Sequence, residues 1–344
     1  MAVQTIDDTF ADAWDAFVLE SEAATFYHQY RWRRAIDSAY GLDTQYLADI
    51  QDGTVHGVLP LVNFRGVGNS RTLLSLPFSN YAGLLASSEA TRDRLIEAAR
   101  ARLQEGNLAL LELKQDQRCD HPDLVEKLDY VALDMNVARP TDEIWKQSLN
   151  AKVRNQVRKA QKAGLSTEIA PELWEEFVPV YQRNQRDLGT PTHSRKWYHT
   201  LADLFNDNMT VIIVRKDGKA IAGAWLFFFR DIAILQYAAS IRDYLALCPN
   251  NLVYWASIEH TSERGSRSLD FARSRVDSGT YHFKQQWGGV PRQTYYQYLL
   301  NTAEKPPDVD PGNPKYKMII ATWKRLPMFV ANAIGPKLRS RIPT

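Results

Sequence analysis

The pattern of apolar and polar positions repeats in the same order in the two halves of this chain. Alternating or short apolar runs predict strands, and longer runs with apolar residues every three or four positions predict helices. In each half two strands, a loop, a helix and another strand follow one another, and the matching segments are 57–61, 79–83, 91–104 and 108–114, then 223–227, 236–240, 251–264 and 268–272. Helices at 12–19 and 172–185 precede the two sets. This repeat predicts two similar α/β domains.

The length of 344 residues also favours two domains, because single hydrophobic cores stop growing at about 250–300 residues. We place the first domain at 1–140, the second at 141–303, and a linker with a tail at 304–344. The first boundary follows a strand, and Thr141 or Asp142 can cap the next helix.

Four prolines lie between Glu304 and Pro314, and proline cannot continue a helix, so we interpret this stretch as a linker. The tail beyond it is predicted to be a helix or a helix pair broken at Pro327 and Pro336. The tail is expected to dock on the first domain or to contact a membrane surface, because its bulky apolar residues are mixed with cations.

An unusual order of residues closes the second half. Leu269 and Phe271 alternate with more polar neighbours as in a half-buried strand, and Arg273 and Arg275 follow where the strand leaves the core. After a predicted Gly-Thr turn comes the pair Phe283-Lys284, and then Trp-Gly-Gly at 287–289. Because strand ends collect functional side chains, this segment is the leading candidate for a site.

This segment, together with Leu-Gly-Thr-Pro at 188–191 and the basic run at 152–164, resembles the FemAB-like branch of the GNAT acyltransferase superfamily. That branch includes nonribosomal peptidyltransferases and BioF2-like acyltransferases. The resemblance spans roughly residues 145–300 and is strongest to members associated with exopolysaccharide and exosortase (PEP-CTERM) loci. It implies two tandem GNAT-like domains, with mixed central sheets flanked by helices, and a C-terminal helical tail.

The resemblance also implies an N-acyltransferase of class EC 2.3. Such an enzyme would move an acyl or aminoacyl group from an activated donor to an amino group of a cell-envelope or exopolysaccharide precursor. An acyl-CoA or acyl-carrier thioester is the preferred donor and aminoacyl-tRNA the second choice, so tRNA enters only as a donor. The acceptor would be a small molecule or a lipid- or nucleotide-linked sugar, and no cofactor would be permanently bound. A non-catalytic GNAT-fold binding or scaffold protein of an envelope polysaccharide system is the alternative.

Five residues of the second half are candidates to act on the acyl group. By the resemblance, Lys284 with Phe283 contacts a phosphate or the oxyanion at the attacked carbonyl, although a solvated lysine is the plain alternative. Tyr281 and Tyr237 could orient an acyl carbonyl, or could be core tyrosines. Asp270 could accept a proton or form a structural salt bridge.

Arginines are the candidate anion-binding groups. Arg273 and Arg275 share one side of a strand and could reach the same anion. A helix with Arg154, Arg158 and Lys162 at four-residue intervals would align three cations on one face, where they could contact an acceptor phosphate or simply be solvated. Gly164 is the expected C-cap of that helix.

The loop before the helix at 251–264 contains no glycine over residues 240–251. Acetyl-CoA-dependent GNAT domains place a glycine-rich loop there to bind pyrophosphate, so the sequence argues against an ordinary acetyl-CoA site. Asn250 and Asn251 are the candidates to cap the helix and present its N–H groups to an anion.

Composition and charge narrow the class of protein. Hydrophobic residues make up 44% and charged residues 24% of the chain, typical of a globular protein. The sequence shows no run of about 18 apolar residues and no signal-peptide pattern at its start, and its two cysteines fit a reducing compartment. We therefore expect a cytoplasmic protein that could sit peripherally at the inner membrane, because the tail from Lys315 to Arg341 carries seven Lys or Arg and no acidic residue. The spacing of the histidines and carboxylates predicts no metal site.

Overall fold

The computed structural model describes residues 2–67, 70–307 and 314–343. Its α-helices are α1 (Ala11–Glu20), α2 (Arg31–Tyr40), α3 (Glu89–Glu105), α4 (Thr141–Glu143), α5 (Ala151–Lys162), α6 (Trp174–Leu188), α7 (Arg195–Phe205), α8 (Pro249–Glu263), α9 (Gly279–Gln286), α10 (Pro314–Trp323) and α11 (Met328–Arg339). Its strands are β1 (Ala2–Thr5), β2 (Asp43–Thr44), β3 (Leu47–Gln51), β4 (Thr54–Leu59), β5 (Val62–Arg65), β6 (Arg71–Leu74), β7 (Leu85–Ala86), β8 (Leu110–Gln115), β9 (Leu124–Lys127), β10 (Tyr130–Asn136), β11 (Ser166–Ala170), β12 (Met209–Lys216), β13 (Lys219–Phe229), β14 (Ile232–Ser240), β15 (Ser268–Arg275), β16 (Val290–Gln293) and β17 (Tyr295–Leu300).

The chain divides into two compact units. The first comprises residues 1–130, 293–309 and 339–344, and the second comprises residues 131–292 and 310–338. Each unit contains a mixed sheet flanked by helices, which confirms the predicted α/β class.

The first unit contains two sheets. Their strand orders are β1-β3-β4-β7 and β2-β5-β6-β8-β17-β9. Helix α3 makes the crossover between the parallel strands β6 and β8. Its apolar face, which includes Leu95, Ile96 and Leu103, is fully buried with Leu111 and Leu113 of β8 in one core.

The second unit is built on one seven-stranded sheet of order β11-β12-β13-β14-β15-β10-β16. Helix α8 is the crossover between the parallel strands β14 and β15. One core joins α8 and α5 to apolar residues of the sheet, such as Leu226, Leu269 and Phe271. Helices α6 and α7 contribute a separate group of aromatic rings around Trp225.

The predicted repeat is present in both units. Strand β13 corresponds to β4 and β5 together, because Pro60 interrupts the first unit where β13 continues to Phe229. Proline has no N–H to donate to a strand ladder, so a strand ends there readily. At the matching place in the second unit, between Trp225 and Leu226, the β13–β14 register shifts instead.

Two strands lie in the other unit from the one that the sequence predicted. Strand β10 falls within the predicted domain 1–140 but pairs into the sheet of the second unit, and β17 falls within 141–303 but lies between β8 and β9 in the first. The predicted boundaries at 140 and 303 therefore differ from the observed division near 130 and 293. An alternating pattern predicts a strand but not its partner, because any exposed strand edge offers the same N–H and C=O groups.

The tail is divided between the two units. Residues 308–313 of the predicted linker lie outside the described residues. Helices α10 and α11 belong to the second unit, where Arg186 donates to the carbonyl of Leu326 at 2.6 Å. Only residues 339–343 of the described tail lie in the first unit. Pro336 lies inside α11 and does not end it.

Two glycines at equivalent places in the repeat have no room for a side chain. A Cβ on Gly57 would lie 2.5 Å from Cγ2 of Thr91 and 2.9 Å from the carbonyl oxygen of Leu85. A Cβ on Gly223 would lie 2.5 Å from the carbonyl oxygen of Ile212. Both distances require backbone or packed side chains to move.

We expect Gly57→Ala and Gly223→Ala each to lower the free energy of unfolding by about 1–3 kcal/mol, the usual cost of overpacking. Thermal unfolding followed by circular dichroism measures this. Gly279→Ala is the matched control, because its Cβ would meet nothing within 4 Å and alanine is the better helix former. Equal midpoints for all three variants and the unsubstituted chain would show that these strands tolerate a side chain.

Candidate active site

Strands β14 and β15 separate at their carboxyl ends. They pair in parallel at three positions, from Ile232 opposite Ser268 to Ile234 opposite Asp270. Strand β14 then runs on to Ser240 and β15 to Arg275. Because ligands of open α/β sheets bind outside the carboxyl ends of strands, where neighbouring strands part, this gap is the candidate site.

Ala272 bends β15 away from its neighbour. Its φ of +60° lies in the left-handed region, which an alanine adopts only at a cost in conformational free energy. The carboxylate of Asp270 accepts the N–H of Ala272 at 2.6 Å. The ammonium of Lys284 donates to the carbonyl oxygens of Ala272 and Arg273, at 2.9 and 3.0 Å. The bend is therefore held by side chains on both sides of it.

Asp270 and Lys284 are both buried, with 3% and 7% of their surfaces exposed. Burial raises the pKa of the Asp270 carboxyl to about 7, against the opposing effects of the Ala272 N–H and the Lys284 cation. Burial lowers the pKa of the Lys284 ammonium to about 8, although the nearby Asp270 raises it. Each group therefore changes its charge close to neutral pH, as groups that exchange protons in catalysis do.

An arginine two strands away in the sheet connects this pair to a second carboxylate. Arg292 Nη2 of β16 lies 3.8 Å from Asp270 Oδ2, and its Nε donates to Asp134 Oδ2 of β10 at 2.5 Å. These two residues were not predicted as part of the site. Asp134 stood out in the sequence as a charge within an apolar strand, whereas Arg292 did not, and the strand order β15-β10-β16 that brings both to Asp270 could not be inferred.

Lys284 and its neighbours lie on a helix. The predicted Gly-Thr turn is wrong, because Gly279 begins α9 and the side chain of Ser278 caps it by accepting the N–H of Tyr281 at 3.2 Å. The hydroxyl of Tyr281 accepts the amide N–H of Gln285. The ring of Phe283 packs edge-on against Tyr254 in the core, with centroids 4.9 Å apart. Phe283 therefore fixes the helix that carries Lys284.

Tyr237 belongs to the aromatic group beside β13 and β14. Its hydroxyl accepts the indole N–H of Trp197 at 3.1 Å, and its ring contacts Tyr181 at 5.1 Å between centroids. Only 6% of its surface is exposed. Tyr237 is held as a packed core residue at the β14 side of the gap.

Two of the predicted arginines lie at the end of β15, whereas a third is bound to main-chain carbonyls. Arg273 is half-buried and Arg275 exposed at the end of β15. Arg154 donates to the carbonyl oxygens of Trp145, Lys146 and Leu149, at 2.7 to 3.2 Å, so its guanidinium closes the preceding turn of the chain.

Arg158 is an exposed cation of α5. Its guanidinium stacks over Trp145 at 5.4 Å from the ring centre and donates to Asn155. The predicted helix is present as α5, ending at Lys162, with Gly164 in the left-handed region one residue after the C-cap Ala163. Of the three cations predicted to share one face of α5, Arg158 and Lys162 are exposed and Arg154 is half-buried.

The predicted caps of α8 are wrong. The helix begins at Pro249, and Cys248 occupies the N-cap position with a φ of +59°. Asn250 and Asn251 lie in the first turn. Asn250 accepts a hydrogen bond from the hydroxyl of Ser240, and Asn251 donates to Gln156 at 3.1 Å. These amides tie α8 to the end of β14 and to α5.

Within the described part of the chain, no group of three His, Cys, Asp or Glu residues could hold a metal ion.

Asp270 and Lys284 lie within a segment that matches a known domain family. Residues 147–285 match the family described as "Acetyltransferase (GNAT) domain". Comparison with proteins of curated function finds no match.

Solved structures share the fold over almost the whole chain. The structure described as FemX has a TM-score of 0.68 at 15% identity and covers 93% of this chain and 100% of its own. A tandem GNAT protein from the clavulanic acid biosynthesis pathway has a TM-score of 0.56 at 11% identity, with 89% and 99% covered. L-PGS from Bacillus licheniformis has a TM-score of 0.55 at 10% identity, with 98% and 99% covered. The fold is therefore a GNAT fold in tandem, as predicted.

We expect the stability of the chain to fall between about pH 4 and pH 7 because of Asp270. Its carboxyl has a pKa of about 7 in the folded chain, raised by burial from 3.8, so the folded state binds the extra proton in this range. The contribution is complete below pH 4 and is lost as the pH rises through 7, at up to about 1.4 kcal/mol per pH unit. Urea unfolding at several pH values measures the slope.

Asp270→Asn keeps an acceptor for the Ala272 N–H and removes the ionisation, so its slope should be shallower. Asp277→Asn, at an exposed position of the same segment, controls for the loss of one negative charge. An unchanged slope in Asp270→Asn would mean that Asp270 is ionised in the folded protein throughout this range.

Proposed function

We propose that this protein is an N-acyltransferase whose reaction takes place in the gap between the ends of β14 and β15. The match of residues 147–285 to an acetyltransferase domain supports the reaction class. The observation that carries the location is the buried Asp270–Lys284 pair at the point where β15 bends. In this reaction an amine nitrogen attacks an acyl carbonyl carbon, the bond from that carbon to the carrier breaks, the amine loses a proton and the carrier gains one.

Three groups would share the chemistry. Beyond Ile234, β14 has no partner strand on its β15 side among the described residues, and such an edge can offer N–H donors to an acyl oxygen. Asp270, with a pKa of about 7, is the proposed acceptor of the amine proton. Lys284 uses two of the three N–H donors of an ammonium on main-chain carbonyls. It is proposed to position the strand and to direct its third donor at a substrate oxygen.

The remaining predicted residues would bind and orient the substrates. Arg273 and Arg275 are proposed to bind an anionic part of the donor, and Tyr281 and Tyr237 to line the acyl group. The donor is proposed to be an acyl-CoA or acyl-carrier thioester, with aminoacyl-tRNA second. The glycine-free loop at 240–251, which forms a 3-10 helix over Arg242–Leu247, favours a donor other than acetyl-CoA bound in the ordinary way.

The acceptor is proposed to be an amine of a cell-envelope or exopolysaccharide precursor, with Arg158 as the contact to its phosphate. Peripheral contact with a membrane would present a lipid-linked acceptor to the site. Exposed apolar side chains on the tail support such contact: Phe329 is 77% exposed, Met318 67% and Ile319 60%, and the exposed cations Lys317 and Lys324 lie on the same segment. Among the described helices none is long and apolar enough to cross a membrane.

We expect Lys284→Met to lower kcat/KM for acyl transfer by about 10²–10³-fold, the usual effect of removing one donor to a developing oxyanion. Product formation by mass spectrometry from acyl-CoA, acyl-carrier thioester and aminoacyl-tRNA donors measures this and identifies the donor class. Lys284→Arg, which keeps charge and donors, should recover part of the rate. Lys159→Met, at an exposed position of α5 outside the face shared by Arg154 and Arg158, should behave like the unsubstituted chain.

Two outcomes would contradict this assignment. Full activity of a folded Lys284→Met variant would remove Lys284 from the site. Absence of product with every donor class, combined with retained binding of an envelope polysaccharide, would favour the non-catalytic scaffold instead.

We expect Arg158→Ala to raise KM for a phosphate-bearing acceptor about tenfold, equivalent to ~1.4 kcal/mol of binding, with little change in kcat. Arg154→Ala should instead lower the unfolding temperature, because it leaves three carbonyls without their donor. The assay compares a lipid-linked acceptor in anionic vesicles with its water-soluble, nucleotide-linked counterpart. Faster reaction of the soluble form would argue against the membrane contact, and an unchanged KM in Arg158→Ala against the phosphate contact.

A further inference from the structure

The first unit contains a second place where parallel strands part. Strands β6 and β8 pair at Leu73 opposite Leu111 and at Leu74 opposite Glu112, after which β8 continues to Gln115. The segment from Ser75 to Ala82 leaves β8 and returns to it. Its ends are fixed by the N–H of Ser75 on the carbonyl of Glu112 and the N–H of Ala82 on the carbonyl of Lys114, both at 2.9 Å. We call this segment the 75–82 loop.

Lys114 is buried beneath the 75–82 loop, with 1% of its surface exposed. Its backbone N–H donates to the hydroxyl of Ser75 at 2.9 Å, which sets the direction of the strand at this point. Its ammonium donates to the carbonyl oxygen of Leu76 at 3.3 Å and to that of Pro343 at 2.9 Å. A hydrogen bond from a cation is about twice as strong as a neutral one, and more so away from water.

A second donor meets the same oxygen. The N–H of Phe78 donates to the carbonyl of Pro343 at 3.1 Å. Phe78 has a φ of +65°, a conformation that is unfavourable for a bulky residue and that is typical of ligand-holding segments. A main-chain N–H and a buried ammonium thus converge on one carbonyl oxygen.

The segment that supplies this carbonyl folds back on itself. Arg339 donates to the carbonyl of Ile342 at 3.2 Å, and the N–H of Ile342 donates to the carbonyl of Arg339 at 3.1 Å. The guanidinium of Arg339 also stacks over the ring of Phe78 at 5.4 Å from its centre. The segment therefore makes a polar contact at Pro343 and a ring contact at Arg339.

We propose that the 75–82 loop and Lys114 form a peptide-binding site, whose resident ligand is this chain's own segment 339–343. The site recognises a peptide carbonyl through the Phe78 N–H and the Lys114 ammonium, and a cationic side chain through the face of Phe78. An identical peptide from a second molecule binds there only after the resident segment has left, because a tethered ligand has an effective concentration in the millimolar range. This proposal does not depend on acyl transfer in the second unit.

The test uses the full chain and a fluorescein-labelled peptide with the sequence of residues 336–343 and an amidated end. The variant Arg339→Glu/Ile342→Asp removes the ring contact and the half-buried apolar side chain of the segment. We expect fluorescence anisotropy to show binding at least tenfold tighter to this variant than to the unsubstituted chain. Adding Lys114→Met should abolish the binding, and a scrambled peptide should not bind.

Hydrogen exchange of the Phe78 amide is the second readout and needs no substitution in the buried lysine. Its exchange should be at least tenfold faster in Arg339→Glu/Ile342→Asp and should slow again when the peptide is added. Arg341→Glu, an exposed residue of the same segment, is the control and should leave the exchange unchanged. Unchanged exchange in the double variant, no binding of the peptide to it, or protection of Phe78 by acetyl-CoA in place of the peptide would each overturn the proposal.

Discussion

Where a strand leaves its sheet, its main-chain carbonyls need new hydrogen-bond donors. The structure of the second unit depends on supplying them. Once β15 parts from β14, its buried polar groups lose a partner strand, and each unsatisfied group would cost about 1–3 kcal/mol. Lys284 supplies donors to the consecutive carbonyls of Ala272 and Arg273, and Asp270 accepts the N–H of Ala272. The left-handed Ala272 is tolerated because these two side chains hold it. Asp270 and Lys284, which shape the gap, are therefore also the groups whose pKa values are shifted toward neutral pH.

The first unit solves the same problem with a lysine from a different element. Lys114 lies on β8 itself, whereas Lys284 reaches β15 from α9. In both units the ammonium is buried and bound to carbonyls beside diverging parallel strands. The two units differ in what lies beside the diverging strands. In the first unit, residues of the chain's own tail lie there. The repeat thus preserves a backbone geometry while changing the residues that support it.

Much of the fold follows from local pattern, and less of the site does. The helices near 91–104 and 251–264, the strand at 268 and the repeat appear as predicted, because their apolar faces are buried in hydrophobic cores. The partners of β10 and β17 could not be predicted, because every strand edge offers the same N–H and C=O groups. Lys284 was predicted as a site residue, but the helix that carries it and the carbonyl groups that it binds were not predicted. Those carbonyls lie at the left-handed turn of Ala272, and this turn contains no glycine that would have indicated it in the sequence. Arg154 is the opposite case. The sequence predicted that it could bind an anion, whereas in the structure its guanidinium donates to main-chain carbonyls.

The central position of β17 has a consequence for synthesis. Residues 295–300 lie between β8 and β9, so β9 has no hydrogen-bonded neighbour in its sheet until this strand arrives. At about 5–20 residues per second, a ribosome takes on the order of 10–30 s to pass from the end of β9 to the end of β17. Throughout that interval the nascent first unit displays two open strand edges. Chaperone capture would therefore act on the first unit during this interval, and a translational pause before β17 would prolong the exposure of those edges.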